Sequence, residues 1–175
     1  MMMHKGMLWI TTVAVAGALT LATPARAQEA EKQGFTVSVG AFFPSKSAVR
    51  NATQDVWFSA DITYTFQTSE PTESGYSYDL GVFVGFYGSG DVRNIPVGLS
   101  YTGYLNEQFF YRATAGIGFA RRINNDDKTG FAWSIGFGYN FSAGTTPIAL
   151  FVGYNGQTGT GDEHNGFTAM LQFKF

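Results

Sequence analysis

His164 lies in the segment Gly161-Asp162-Glu163-His164-Asn165-Gly166, where two acids could orient an imidazole for general acid–base work. The surrounding glycines and asparagine are loop formers, so the sequence predicts a solvated loop histidine and no catalytic residue. Asp61 and Asp79 could form a two-carboxylate site, but Arg112 and Lys174 are simpler partners for them. Asn124-Asn125-Asp126-Asp127 offers oxygen ligands without the spacing or the glycine of an EF-hand loop. The glycine-rich stretch 156–166 contains no complete dinucleotide or P-loop pattern. With no cysteine in the chain, thiolate metal sites, a disulfide framework and an acyl anchor on Cys are excluded. No metal or cofactor is expected.

The elements that carry these residues are more informative than the residues themselves. The closing segment Phe167-Thr168-Ala169-Met170-Leu171-Gln172-Phe173-Lys174-Phe175 alternates with period two, the repeat of a strand whose faces meet different environments. Alternation of the same kind predicts eight strands, at 35–43, 56–66, 76–87, 95–104, 109–120, 131–141, 148–155 and 167–175. Each has about the nine to eleven residues of a tilted membrane strand. Pro44, Pro71 and Pro147 fall between strands, and Pro96 is read at the start of the fourth, where a missing donor is tolerated. Residues 44–55, 88–94, 121–130 and 156–166 are expected as loops at one end, and 67–75, 105–108 and 142–147 as turns at the other.

The amino terminus has the form of a secretory signal peptide. His4 and Lys5 precede an apolar run from Met7 to Leu21, too short for a membrane-spanning helix, and then the small-x-small site Ala25-Arg26-Ala27. Cleavage there leaves a single domain, 28–175, with nine basic and 13 acidic residues and a net charge of −4. That balance argues against nucleic-acid binding. Only 14% of the chain is charged while 17% is aromatic and 22 residues are glycine, a composition suited to a membrane barrel rather than a soluble domain.

The two faces of the strands decide between a soluble and a membrane barrel. One face carries Val82, Val84, Val97, Leu99, Ile117 and their equivalents and holds no charge within the strands. The other is small and polar, with Ser38, Ser59, Ser100, Thr114 and many glycines, too poor in Lys and Glu for a water-facing surface. The apolar face therefore meets lipid and the polar face lines a narrow lumen. Aromatics gather at both ends of the apolar face, among them Phe35, Tyr101, Phe141 and Phe173 at one end and Phe58, Phe119, Phe131 and Phe167 at the other. Two belts flanking an aliphatic band match two membrane interfaces.

On these grounds the chain resembles the small outer-membrane β-barrel proteins of the OmpX and OmpA-barrel kind. The resemblance spans the mature chain and is one of pattern, with no diagnostic site motif. It implies an eight-stranded antiparallel up-and-down transmembrane barrel in a Gram-negative-type outer membrane, acting as a monomer. It also implies that the assembly machinery reads the aromatic-ended last strand. Some eight-stranded barrels modify lipid A, but the His-x-Ser strand motif of the deacylase barrels is absent here, so an enzyme is not expected.

Within that frame three groups of residues stand out. Asp61, Asp79, Arg112 and Lys174 face inward and are expected to form an ion-pair cluster that plugs the lumen, with a solute-selective constriction as the alternative. Phe42, Trp57, Phe83 and Tyr87 face inward near the loop end, either as filling or as an apolar cup for a hydrophobic ligand, a role similar to one proposed for OmpW-like barrels. Lys46, Arg50, Arg93, Arg121, Arg122 and Lys128 lie at or beyond that same end. They could contact lipopolysaccharide phosphates, or simply pair with local acids such as Asp55, Asp91, Asp126 and Asp127.

Overall fold

The computed structural model describes residues 34–141 and 147–175. The signal peptide expected at 1–27 lies outside them, as does most of the expected 142–147 turn. Eight strands form: β1 (Gly34–Pro44), β2 (Trp57–Thr68), β3 (Ser77–Ser89), β4 (Val92–Tyr104), β5 (Phe109–Arg121), β6 (Asp127–Asn140), β7 (Ile148–Gln157) and β8 (Gly166–Lys174). One short helix, α1 (Ser47–Ala52), lies between β1 and β2. Each strand pairs antiparallel with its sequence neighbour, and β8 pairs with β1 to close the barrel. The closing seam runs from Pro44 opposite Gly166 to Thr36 opposite Lys174, and Phe35 and Phe175 exchange backbone hydrogen bonds beyond it. Closure leaves no strand edge with unpaired backbone groups.

The wall is inverted relative to a water-soluble barrel. Leu99 is 62% exposed on the outside and Ile117 53%, whereas Ser38 and Ser100 inside are at 0% and 3%. Period-two alternation enforces this sorting, because a shift of one residue would exchange the faces of a whole strand. Eight strands leave a bore that side chains can fill. Inward glycines make room for large rings. A methyl group at Gly138 would stand 2.0 Å from the Phe110 ring, so Phe110 can lie across the lumen only because Gly138 lacks one.

Several boundaries differ from those the sequence suggests. The 88–94 loop is a tight turn at Gly90 and Asp91, with Gly90 at φ +61. β3 and β4 therefore extend further, and Pro96 lies within β4 rather than at its start. Its side chain faces Gly85, and the β3–β4 ladder passes from Val84 opposite Val97 to Tyr87 opposite Asn94 across the missing donor. β6 likewise begins at Asp127, shortening the 121–130 loop. An irregularity in β2 between Thr65 and Gln67 shifts the register, so that Thr68 rather than Gln67 stands opposite Asp79.

Candidate functional site

The inward charges form two separate pairs rather than one cluster. β2 and β5 bring Asp61 and Arg112 together at 3.1 Å, with both side chains 10% exposed or less. Ser38 on β1 donates to the other Asp61 oxygen at 3.0 Å. The Arg112 guanidinium also stands over the Phe151 ring, 5.6 Å from its centre, while its Nε has no hydrogen-bond partner. Asp79 and Lys174 pair at 3.5 Å near the terminal end. Two further residues hold Asp79: Tyr104 donates at 2.8 Å and Thr68, brought round by the β2 irregularity, donates at 2.8 Å. Lys174 also hydrogen-bonds the Tyr104 hydroxyl and stands over its ring. Tyr104 is not among the site residues the sequence suggests, although it ends the expected 95–104 strand with the inward parity of Gly98 and Ser100.

Between the pairs the bore is nearly full. Phe110 and Phe151 stack at 6.5 Å across it, and among the described residues Arg112 lines small cavities of about 40 and 30 Å³. Thr63, Arg112 and Gln172 each present a buried polar atom without a protein partner and line one or both cavities. Such space suits a few waters and is too small for an acyl chain.

At the loop end, most of the inward aromatic group packs together as filling. Phe42 packs on Trp57 at 5.3 Å and stacks on Tyr87 at 4.4 Å. Val49 of α1 and Val92 complete this buried group. Phe83 lies outside it and lines the larger cavity instead. The Trp57 indole N–H donates to the Gln54 carbonyl at 3.0 Å, and Thr53 Oγ1 lies 3.1 Å from the same nitrogen. The ring is thus anchored by the β1–β2 connection it supports.

His164 is the largest departure from the sequence reading. It is not solvated: the residue is fully buried, 5.9 Å edge-on to Trp57 and 6.3 Å from Tyr87. Its backbone carbonyl accepts from the Tyr87 hydroxyl at 3.1 Å, and Asn94 donates to that hydroxyl at 2.6 Å. Neither ring nitrogen has a hydrogen-bond partner, although the Arg121 and Arg93 carbonyls are near. Burial pushes the imidazole below its ordinary pKa, against the opposing pull of Glu163. Loop composition pointed outward, but the β7–β8 connection folds inward over the aromatic floor. An imidazole without an orienting carboxylate, closed off by rings, lacks the geometry of a general base.

The cover is fastened by charge. Arg122 grips Glu163 with two hydrogen bonds of 3.1 and 2.6 Å, and Glu163 also accepts from the Ile123 backbone N–H at 3.1 Å. Burial alone would raise the Glu163 carboxyl, but these bonds outweigh it and hold it below the usual range. The other loop cations divide unequally. Lys46 donates to the Gly161 carbonyl at 3.0 Å, tying the first loop to the last. Arg50 donates to the Pro44 and Ser45 carbonyls and faces Asp55 at 3.7 Å. Lys128 pairs with Asp126 at 3.2 Å, and Arg121 approaches Asp127 no closer than 3.8 Å. Among the described residues no carboxylate pairs with Arg93, and no His, Asp and Glu group is placed to hold a metal.

The strand pairing and the sorting of the two faces define the class: an all-β, closed, eight-stranded, up-and-down barrel built inside-out. No known protein family matches the chain, and no curated protein matches it. Among solved structures it is similar to the solution structure of the de novo designed transmembrane β-barrel TMB2.3. That likeness has a TM-score of 0.54 at 17% identity and covers 85% of this chain and 98% of the design. At that identity the likeness concerns the fold alone.

Proposed function

We propose that the chain is a monomeric integral outer-membrane protein whose closed lumen carries no solute and whose role is structural or exercised through its exposed loops. The apolar outer wall with its two aromatic belts supports membrane insertion, and the export signal read at 1–27 supports the location. The observation that carries the closed-lumen reading is the plugged mouth, where Val49 and His164 complete the packing over Phe42, Trp57 and Tyr87. The two ion pairs and the Phe110–Phe151 stack support the same reading deeper in the bore. Single-channel recording in planar bilayers tests it: no stable conductance is expected, and a reproducible open level would refute it.

A small-solute conduit is the second reading. The observation that favours it is that Arg112, paired with Asp61, lines both cavities. The same recordings decide between the two. We further propose that the barrel is not a lipid A-modifying enzyme, since its one described histidine has neither an acid to orient it nor access to lipid. Unchanged lipid A mass spectra in cells with and without the protein are the expected result.

A further inference from the structure

The six loop-end cations are not equivalent, and their bonding singles out two. Lys46, Arg50, Arg122 and Lys128 are each held by a carbonyl or a carboxylate at the loop end. Arg93 and Arg121 stand apart from these four. They belong to β4 and β5, directly opposite one another in the ladder. Both continue the outward parity of their strands, two positions beyond Ile95 and Phe119, which are themselves cross-strand neighbours on the exposed apolar wall. The pair therefore stands about 6–7 Å above the edge of the apolar band.

Like charges facing each other across a ladder are unfavourable unless something of opposite charge joins them. Asp127, opposite Arg121 on β6, is the nearest candidate, but it lies 3.8 Å from Arg121 Nε and is mostly solvent-exposed. That Nε is buried and has no hydrogen bond. Arg93 has no acidic partner among the described residues, and on its other side the ladder offers only Gly88. Two guanidiniums with free donors, side by side at the rim of an apolar wall, match a phosphate monoester fixed to a lipid whose chains lie along that wall.

We propose that Arg93 and Arg121 bind a phosphate of an outer-leaflet lipid A molecule packed against β3–β5. The proposal rests on the membrane reading given above and narrows lipopolysaccharide contact from six residues to two. The acyl chains would lie over Ile95, Val97, Ile117 and Phe119, all exposed on the same side of the wall. A phosphorylated headgroup also explains why two arginines are tolerated in register, because the bound anion turns repulsion into a bridge.

The test uses the full mature barrel, refolded into phosphatidylcholine nanodiscs with either bis-phosphorylated or dephosphorylated lipid A, and native mass spectrometry of retained lipid. The wild-type barrel should retain bis-phosphorylated lipid A, and Arg93→Gln with Arg121→Gln should lower retention roughly tenfold or more. Lys128→Gln, which removes a cation already paired, should leave it unchanged. In phosphatidylcholine alone the double variant should be at least as resistant to denaturant as the wild type, since it relieves like-charge repulsion. A pair with a purely structural role would weaken there instead. Equal retention by wild type and double variant, or equal retention of the dephosphorylated lipid, would overturn the site while leaving membrane insertion intact. Failure of the wild-type chain to insert into phosphatidylcholine vesicles would overturn the membrane reading and the site together.

Discussion

Replacing Arg112 by Met tests whether the lumen is a closed interior or a wet channel. Arg112 and Asp61 lie 3.1 Å apart and are both about nine-tenths covered. At that distance a unit charge pair is worth about 1 kcal/mol in bulk water and about 5 kcal/mol at an effective dielectric near 20. The two environments therefore predict different costs. In a closed lumen, Arg112→Met leaves the Asp61 carboxylate with Ser38 as its one described hydrogen-bond partner. Asp61→Asn leaves a guanidinium supported by the Phe151 face and already lacking a partner for Nε. Each single change should destabilise by about 3–5 kcal/mol, because breaking a buried pair strands a charge. The double change Asp61→Leu with Arg112→Met strands none and should cost far less than the sum, within about 1–2 kcal/mol of wild type. Urea titration of the barrel refolded into phosphatidylcholine vesicles, followed by tryptophan fluorescence and by heat-dependent gel mobility, measures all three. Single-variant losses below about 1 kcal/mol that simply add would refute the closed-lumen reasoning, since only a water-filled bore screens the pair that well.

Other consequences concern the mouth and the wall. The His164 imidazole is held below its ordinary pKa while covered, so the uncovered form binds a proton first as pH falls through about 6.5. The cover should loosen from there downward. Glu163, whose carboxyl is held low, adds a second loss only below the usual carboxylate range. Amide hydrogen exchange across 158–165 reports both steps. Glu163, Arg122 and the Tyr87 hydroxyl are the titratable groups around the ring, so an unchanged upper step in His164→Phe would assign it elsewhere. Trp57→Ala removes the floor beneath α1 and His164 and should cost about 3–5 kcal/mol by urea titration in vesicles. Gly138→Ala drives a methyl group into Phe110 and should cost about 1–3 kcal/mol. A neutral outcome there would mean that Phe110 can leave the bore.

Much of the fold is legible in the sequence because a strand wall is a local code. Residues such as Leu99 and Ser100 need only their neighbours' parity to be assigned to opposite faces, and the structure separates them accordingly. What failed were the places where the chain departs from period two. Thr68 enters the lumen through an irregularity that no residue type announces, and Pro96 lies deeper in β4 because the Gly90–Asp91 turn is tighter than its glycine-rich surroundings suggest. The two ion pairs needed residues from different strands at matching heights. Parity supplied their inward direction, but not which acid meets which base.

By itself, the sequence determined the strand number, the inversion of polar and apolar faces and the placement of the aromatic belts, since each depends on spacing along one strand. Only the tertiary structure decided that Val49 and His164 pack over Phe42 and Trp57, that Asp79 leans on Tyr104 and Thr68, and that Arg93 and Arg121 face each other across the ladder. His164 marks the boundary most clearly. Its neighbours read as a solvated loop, yet long-range packing against Trp57 and Tyr87, more than 70 residues away in sequence, buries it completely. Local composition specifies what a segment can tolerate. Where a loop goes depends on the surface that chain closure places beneath it.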